Sequence, residues 1–172
     1  MKKLVYLSLG SNLGDRRANL EHAVEKLRAL GDVKGVSSFY ETAPVEFTQQ
    51  PDFLNIAVAL ETEKMPKQLM AALLGIEQEM GRRRPPAALK RTPENAARVK
   101  GPRTIDIDII FFGRSVLNIP GIKVPHPAMS QRRFVLEPLA EIAPEARHPV
   151  LKKTVRELRD ALGAGGGTVR RL

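Results

Sequence analysis

Two stretches of this chain alternate apolar and polar positions in the way that is typical of a β-strand. Between Phe53 and Leu60 every second residue is a large aliphatic side chain, which gives that strand one face for a core. From Thr104 to Phe112 isoleucines alternate with polar residues, and this is the strongest strand in the sequence. Weaker patterns predict short strands at Val5–Leu9, Val36–Tyr40, Val116–Ile119 and Ile122–Val124, the last two in a hairpin after Gly113-Arg114-Ser115.

Helical spacing predicts the remaining elements. One helix is capped by Asp15 and closed by Gly31, and a second begins at Pro66 and ends at Gly81. Two short helices are expected between 127 and 143, and a last one at Val155–Leu162. The glycine-rich residues 163–172 are expected to be a frayed, disordered tail. Strands and helices are mixed, so residues 1–162 are predicted to form one α+β domain.

Positive charge is concentrated in one segment of the chain. Eight basic residues and one acidic residue lie from Arg82 to Arg103, whereas the rest holds 20 basic and 18 acidic residues. This proline-rich segment lacks periodicity and is predicted to be a long mobile loop, either simply solvated or bound to an anionic partner. The chain has no cysteine, which excludes disulfides and thiolate chemistry and suits a reducing compartment. No apolar run approaches the roughly 18 residues of a membrane span, and the N-terminus is interpreted as a strand rather than a signal peptide.

Asp106 and Asp108 are the sharpest chemical signal. In a strand, residues two apart face the same way at about 7 Å, so the two carboxylates share a face opposite the isoleucines. Side-by-side carboxylates repel each other unless a cation lies between them, and Mg²⁺ prefers such hard oxygen ligands. The alternative is an exposed strand face with two unrelated acids.

Basic residues flank this pair in the sequence. Arg82 and Arg84 leave the second helix at Gly81, and Arg103 enters the strand itself. Guanidinium groups beside metal-binding carboxylates suit a magnesium–polyphosphate ligand. His126 lies between two prolines and is either structural or a donor to a phosphate.

Phe53, Asn55 and Phe134 are candidates for holding a flat heterocycle. A ring that stacks and an amide that pairs with an edge are a usual combination for this purpose. Core packing is the alternative for each phenylalanine. Residues 10–15 invite a phosphate-loop interpretation, but the G-x-x-x-x-G-K-[ST] pattern is absent, so this segment is interpreted as strand, turn and helix.

Five segments in register resemble one enzyme family. They are Leu9–Gly14, Ser37–Thr42, Gln50–Asn55, Gly101–Asp108 and Val124–Pro127, of which G-P-R-T-I-D-I-D is the most specific. Over residues 2–160 the chain is similar to the 6-hydroxymethyl-7,8-dihydropterin pyrophosphokinases. The resemblance implies a ferredoxin-like α+β fold with a four-stranded antiparallel sheet at its centre and helices packed on it. It also implies magnesium-dependent transfer of pyrophosphate from ATP to the pterin, with release of AMP, in cytoplasmic folate biosynthesis.

The same resemblance implies roles for individual residues. Two Mg²⁺ ions would bridge ATP to Asp106 and Asp108, and Arg82 and Arg103 would close over the triphosphate. Further nucleotide contacts would come from Glu77, Arg84, Ile109, His126 and Arg132. The pterin would stack between Phe53 and Phe134, and its edge would be read by Thr42, Val45 and Asn55. The expected partners are therefore ATP and the pterin, with no nucleic acid and no membrane, and the monomer is the default state.

Two departures from the family pattern concern the basic segment. Lys100 stands where the family commonly has a tryptophan before its Gly-Pro-Arg, and the loop between Arg84 and Arg103 is longer than in compact members. An RNA- or DNA-binding module is the main rival, because a basic loop on a ferredoxin-like sheet is found in some RNA binders. Against it, the central strand lacks stacked aromatic residues and carries two aspartates that would repel phosphates. An inactive structural relative is the third alternative.

Overall fold

A computed structural model describes residues 1–43, 51–81, 104–163, 165 and 167–172. Its described strands are β1 (Lys3–Ser11), β2 (Asp32–Val36), β3 (Tyr40–Thr42), β4 (Phe53–Thr62), β5 (Asp106–Phe112), β6 (Leu117–Ile119), β7 (Ile122–Val124) and β8 (Val169–Arg171). Its described α-helices are α1 (Arg16–Leu27), α2 (Pro66–Glu79), α3 (Arg133–Ile142) and α4 (Val155–Ala161), and a 3-10 turn at Met129–Gln131 precedes α3. None of these helices is long and apolar enough to cross a membrane.

The main sheet is antiparallel and has the order β5–β1–β4–β3–β8, with β2 also paired to β4. Strand β4 is ten residues long, so its first residues pair with β3 and its last residues pair with β2. Strands β1, β2, β4 and β5 together with α1 and α2 form the β-α-β-β-α-β unit of a ferredoxin-like fold. The predicted fold class is therefore confirmed, and β3 and β8 extend its four-stranded centre on one side.

The sheet separates two hydrophobic cores. Leu54, Ile56, Val58 and Leu60 of β4 belong to the core that also contains α1 and α2, as their alternation predicts. Ala57 lies on the opposite face of β4, in the core that contains α3 and α4. A layer of helices thus covers each face of the sheet. The ends of the strands therefore remain as its accessible part.

The expected strand Val36–Tyr40 is wrong in its bounds, because two serines interrupt the ladder. The Ser37 hydroxyl accepts the amide of Ala57 at 2.9 Å, and the Ser38 amide donates to the Glu141 carboxylate at 2.9 Å. Side chains of this kind compete with strand pairing. The chain therefore leaves β2 at Val36 and returns to β4 as β3 only at Tyr40.

The disordered tail expected at 163–172 is also wrong in part. Val169–Arg171 forms β8, which pairs with Tyr40–Thr42 and becomes an edge of the main sheet. The predicted strands near 116–124 are present as β6 and β7, but they pair with each other in a separate two-stranded sheet. Gly31 does not close α1, which ends at Leu27. A Cβ at Gly31 would lie 2.2 Å from the carbonyl oxygen of Glu61, so this glycine permits a close approach to β4.

One buried histidine gives the fold a predictable pH dependence. His148 is 8 % exposed, its Nδ1 accepts the amides of Val150 and Leu151 at 3.1 and 3.0 Å, and its ring packs edge-on against Phe111. Burial lowers the pKa of His148 below its ordinary value of about 6.5. The unfolded chain therefore takes up this proton more readily than the folded chain.

Acidification is expected to destabilise the fold partly through His148. Above about pH 6.5 His148 is neutral in both the folded and the unfolded chain and does not lower the free energy of unfolding. As the pH falls from there towards the lower folded-state pKa, the unfolded chain binds the proton first and the free energy of unfolding decreases. His148→Asn places an amide oxygen near the position of Nδ1 without a titrating ring, so it should flatten this part of the dependence. Urea denaturation at about pH 7.5 and about pH 5.5 measures the difference. Equal pH dependence in both proteins would contradict the assignment.

Candidate active site

Asp106 and Asp108 lie at the start of β5, on an edge of the main sheet. Both side chains are half-buried, while the intervening Ile107 and the following Ile109 are in the core with α1 and α2. The strand therefore presents the two carboxylates on one face, as its alternation predicts.

A buried carboxylate from α2 is bonded to β5 between these two aspartates. Glu77 is 3 % exposed, and its Oε2 accepts the backbone amide of Ile107 at 2.9 Å. Hydrogen bonds to charged groups are stronger than bonds between neutral partners. The contact thus connects the end of α2 directly to the short piece of backbone that carries both candidate metal ligands.

A group of side chains across the sheet from Asp106, those of Thr42, Phe53 and Asn55, is called the pocket below. Asp106 is paired with Gly10 of β1, Gly10 with Asn55 of β4, and Asn55 with Tyr40 of β3, so these four positions form one cross-strand row. Asn55 is buried, and its Nδ2 donates to the Thr42 hydroxyl at 2.8 Å. This bond leaves Asn55 Oδ1 on the side of Gly10.

Gly10 allows the side chains of Asn55 and Phe53 to come close to the backbone of β1. A Cβ at this position would lie 3.0 Å from Asn55 Oδ1 and 3.4 Å from Cδ1 of Phe53. A glycine inside a strand often marks a place where a ligand approaches closely. The segment interpreted from sequence as a simple strand and turn therefore contributes to the site, and the interior position of Gly10 in β1 was the available signal.

Phe53 and Phe134 are both half-buried. Phe53 lies at the start of β4, on the face of Asn55, whereas the aliphatic residues of β4 are in the core on the other face. Phe134 is at the beginning of α3, packed partly against the second core, and the Arg132 guanidinium lies 5.5 Å from its ring centre. Neither ring is fully used in packing, so part of each ring surface is accessible to a ligand.

A second cavity, of about 570 Å³, lies along the free edge of β5. Asp108 and Ile109 line it from the strand, Met70 from α2, and His126 from the segment after β7. Its outer wall is the hairpin of β6 and β7, including Lys123. This volume is within the range of small-molecule sites. Met70 and Lys123 were not identified from the sequence, because neither belongs to a recognisable motif.

His126 is oriented by two backbone contacts. Its own amide donates to the Ile110 carbonyl at 3.0 Å, and its Nδ1 accepts the Ala128 amide at 3.2 Å. Since Nδ1 is an acceptor here, the neutral ring carries its proton on Nε2. Burial is the main cause that lowers the pKa of His126; Arg132 lowers it further and Asp106 raises it. Arg132 and Asp106 therefore both act on the charge of the His126 ring, in opposite directions.

Most of the predicted site residues that the structure describes thus lie in one region, around the start of β5. Asp108, Ile109 and His126 line the cavity, Glu77 holds β5, and Thr42, Phe53 and Asn55 form the pocket on the other side of Asp106. No contact between described residues joins Phe134 to Phe53. The expected Arg82, Arg84, Arg103 and Val45 lie outside the described residues, as does the predicted loop between Arg84 and Arg103.

The donor set on β5 fits a magnesium ion held jointly with a phosphate ligand. Within the described ranges no group of three or more histidine, cysteine or acidic side chains could form an all-protein metal site. Mg²⁺ is usually bound by one or two carboxylates together with substrate phosphates and water. Two half-buried aspartates beside a cavity match that arrangement.

Fold and site together are typical of a nucleotide-using transferase of the α+β class. A family model described as 7,8-dihydro-6-hydroxymethylpterin-pyrophosphokinase (HPPK) matches residues 6–144, and the chain belongs to this family.

Two curated relatives have similar lengths to this chain. One is a 2-amino-4-hydroxy-6-hydroxymethyldihydropteridine pyrophosphokinase of Aquifex aeolicus, 36 % identical over 156 residues, which are 90 % of this chain and 89 % of the relative. Another, with the same name, is from Bacillus subtilis and is 43 % identical over 145 residues, 83 % of this chain and 79 % of the relative. A crystal structure of wild-type Plasmodium falciparum HPPK-DHPS superposes with a TM-score of 0.72 at 16 % identity, over 94 % of this chain and 44 % of that one. At this identity the last comparison supports the fold alone.

Proposed function

We propose that this chain transfers the pyrophosphoryl group of ATP to the hydroxymethyl group of 6-hydroxymethyl-7,8-dihydropterin in a magnesium-dependent reaction of folate biosynthesis. The hydroxymethyl oxygen forms a bond to the β-phosphorus, the bond from that phosphorus to the oxygen bridging the α- and β-phosphates breaks, AMP leaves, and the hydroxyl proton is released to water. No protein nucleophile is needed, in agreement with a chain that has no cysteine. A cytoplasmic location is part of the proposal.

One observation carries this proposal: the aspartates of β5 lie between two different binding spaces. On the free edge of β5 is the cavity with Asp108, Ile109 and His126. On the other side, the row from Asp106 through Gly10 leads to the Asn55–Thr42 pair. A transfer between two substrates needs both to meet at the groups that stabilise charge, and this row supplies that meeting point.

The pocket of Thr42, Phe53 and Asn55 suits the pterin. Asn55 donates to Thr42 through Nδ2, which leaves its Oδ1 on the side of Gly10. An amide oxygen in that position accepts an N–H from the edge of a heterocycle. Asn55 is buried, so a ligand that lacks this N–H would leave its Oδ1 without that hydrogen bond, at a cost of about 1–3 kcal/mol. Edge recognition therefore supplies specificity, and Phe53 and Phe134 supply stacking surface.

The cavity beside β5 suits ATP, with the adenosine towards Met70 and the β6–β7 hairpin and the phosphates towards Asp108. His126 holds its proton on Nε2 and can donate it in a hydrogen bond to a phosphate oxygen. Arg132, which lowers the pKa of His126 and therefore lies near it, adds positive charge on the same side. These groups bind and orient the polyphosphate rather than exchange protons with it.

Asp106 and Asp108 would hold the magnesium ions. When bound, such ions offset the negative charge that develops on the transferred and leaving oxygens. The number of ions expected from the family resemblance, two, is part of this proposal.

The test is product analysis with all components present. Protein, ATP, Mg²⁺ and 6-hydroxymethyl-7,8-dihydropterin should yield AMP and the pterin diphosphate in equal amounts, and omission of the pterin or addition of EDTA should abolish AMP. Formation of ADP would mean ordinary phosphoryl transfer and would overturn the proposal. Tight, salt-sensitive RNA binding in EDTA would favour the nucleic-acid-binding alternative.

Phe53→Ala and Phe134→Ala are each expected to weaken pterin binding about tenfold and to leave the Kd of ATP within about twofold. Stacked aromatic contacts contribute about 0.5–1.5 kcal/mol beyond the buried area, and 1.4 kcal/mol corresponds to a factor of ten. Titration with each ligand measures both values.

Phe39→Ala is a matched control for this prediction. Phe39 is half-buried, packs against the first core and lies under the Arg17 guanidinium at 4.5 Å. Its removal should lower stability without changing the ratio of the two affinities. If Phe53→Ala and Phe134→Ala behave like this control, both rings are ordinary packing residues and the stacking role is wrong.

A further inference from the structure

Residues 163, 165 and 167–172, called the final segment below, contact both protein elements that border the proposed pterin pocket. On one side β8 pairs with β3, with Val169 opposite Thr42 and Arg171 opposite Tyr40. On the other side the Arg133 side chain, at the start of α3, donates to the carbonyl oxygens of Gly163 and Gly165. The segment thus spans from the strand that carries Thr42 to the helix that carries Phe134.

Strand β3 depends on this pairing more than the long strand β4 does. It contains three residues, and its other partner is the first part of β4. Short strands at a sheet edge open readily, because few hydrogen bonds hold them. With β8 in place β3 is an inner strand, and the Leu172 amide extends the contact by donating to the Phe39 carbonyl at 2.9 Å.

An ionic cluster reinforces the same connection next to Thr42. The Glu41 carboxylate accepts from Arg16 at 2.9 Å and from Arg170 of β8 at 2.6 Å. Arg16 also donates to the carbonyl of Asp52, which immediately precedes Phe53. These bonds lower the pKa of Glu41, chiefly through Arg16, so the carboxylate stays ionised. The cluster therefore joins α1, β3, β8 and the entry to β4 around the pocket.

The contact between α3 and the final segment is made by the side chain of Arg133. The Arg133 guanidinium is mostly buried, with 16 % of the side chain exposed, and is fixed by Glu137 at 3.0 Å within the same helix. Its remaining donors meet the glycine carbonyls of the final segment. Arg133 is adjacent to Phe134, so these hydrogen bonds fix the position of the start of α3 relative to β8.

We propose that the final segment is a positioning element of the pterin site, which holds Thr42 on β3 and Phe134 on α3 at the separation that the flat substrate needs. Arg170 and Arg133 are the positioning residues through which it acts. This inference rests on the proposed function, because it assigns the pocket to the pterin. It goes beyond that function in giving a substrate-specific role to a segment whose described residues are not among those that line the cavity at β5.

Substrate selectivity distinguishes this role from ordinary packing at the end of a chain. Loss of the segment should affect the pterin alone, since the cavity at β5 is on the opposite edge of the sheet. Deletion of residues 169–172 is expected to raise the KM for the pterin about tenfold. Arg170→Gln should raise it about two- to fivefold, the range that corresponds to an exposed ion pair. The kcat and the KM for ATP should change less than twofold in each.

Two further variants define the mechanism of the effect. Arg170→Lys keeps the charge and should recover most of the pterin affinity. In a Glu41→Gln background, Arg170→Gln should add little further loss, because the ion pair is already broken. Arg156→Gln is the matched control: its guanidinium pairs with Glu145 at 2.8 Å on the surface of α4, and its kinetics should equal those of the wild type.

The outcomes separate this inference from the proposed function. If the wild type forms no AMP and binds no pterin, the proposed function fails. If the wild type is active and Arg170→Gln, folded by circular dichroism, has an unchanged pterin KM, the positioning role is wrong. Equal rises in both KM values would likewise overturn it and indicate a general loss of structure. If the deletion variant does not fold, the Arg170 variants and the double-mutant cycle with Glu41→Gln still test the positioning role.

Discussion

Replacement of Asp106 or Asp108 by alanine is expected to lower turnover by about three orders of magnitude. Each variant removes one carboxylate from the pair on β5 that would hold magnesium beside the phosphates. A metal ion contributes several kcal/mol of charge stabilisation in the transition state, and a factor of a thousand corresponds to about 4 kcal/mol. Steady-state AMP formation at saturating ATP, pterin and Mg²⁺ measures the loss.

The same substitutions should leave the fold intact. Both carboxylates are half-buried on a strand whose opposite side chains, Ile107 and Ile109, are in the core. Removing one of two neighbouring acids at this edge costs no contact in the hydrophobic core, so the free energy of unfolding should change by less than about 1 kcal/mol. Asp106→Asn and Asp108→Asn keep the shape and lose the charge, and they should be nearly as inactive.

Asp160→Asn provides the comparison for a carboxylate away from the site. Asp160 is exposed on α4 and pairs with its neighbour Arg159. Its loss should alter neither turnover nor magnesium dependence. If Asp106→Ala or Asp108→Ala retained more than about a tenth of the activity, a barrier change under about 1.4 kcal/mol, the two carboxylates would not be metal ligands.

The strands and helices that sequence patterns predict correctly are those whose burial is local. The alternation in β4 and β5 reports which residues face the helices α1 and α2, because a strand with one buried aliphatic face must show it. The caps behave similarly: Asp15 accepts the Ala18 amide at 3.0 Å, and Gly81 has φ +98° just after α2. Each of these signals is contained within a few neighbouring residues.

Contacts between distant residues explain what the sequence did not reveal. The glycine-rich composition of residues 163–172 predicts a frayed tail, yet β8 pairs with β3, which is more than a hundred residues earlier in the chain. The break between β2 and β3 depends in the same way on Glu141 of α3. Composition and periodicity contain no information about such partners. The aspartate pair was identifiable without them, whereas the contribution of Gly10 required knowledge of its neighbours Asn55 and Phe53.

Glu77 is the site residue for which the structure adds most to the sequence. The resemblance implied an acidic position near the nucleotide, and the structure shows that its carboxylate also accepts the amide of Ile107. That amide lies between Asp106 and Asp108, so the contact controls the backbone from which both carboxylates project. A change at Glu77 should therefore affect stability and turnover together.

Glu77→Ala is expected to lower the free energy of unfolding by about 2–3 kcal/mol and turnover by about a hundredfold. The variant leaves the buried Ile107 amide without its acceptor, which costs about 1–3 kcal/mol, and opens space beside β5. Glu77→Gln keeps an oxygen that can accept the amide, so it should recover more than half of the lost stability. Urea denaturation and steady-state kinetics over a range of Mg²⁺ concentrations measure the two effects.

Glu79→Gln separates the role of this contact from a general effect of charge on α2. Glu79 lies two residues further on, is largely exposed and pairs with Lys26 at 2.6 Å. Its replacement should leave turnover unchanged, because an exposed ion pair contributes little and does not touch β5. If α2 acts through β5, Glu77→Ala will need more magnesium for half-maximal activity, since its aspartates are less well placed. An alanine variant with normal stability and an unaltered magnesium requirement would show that the Glu77–Ile107 bond does not position the aspartates.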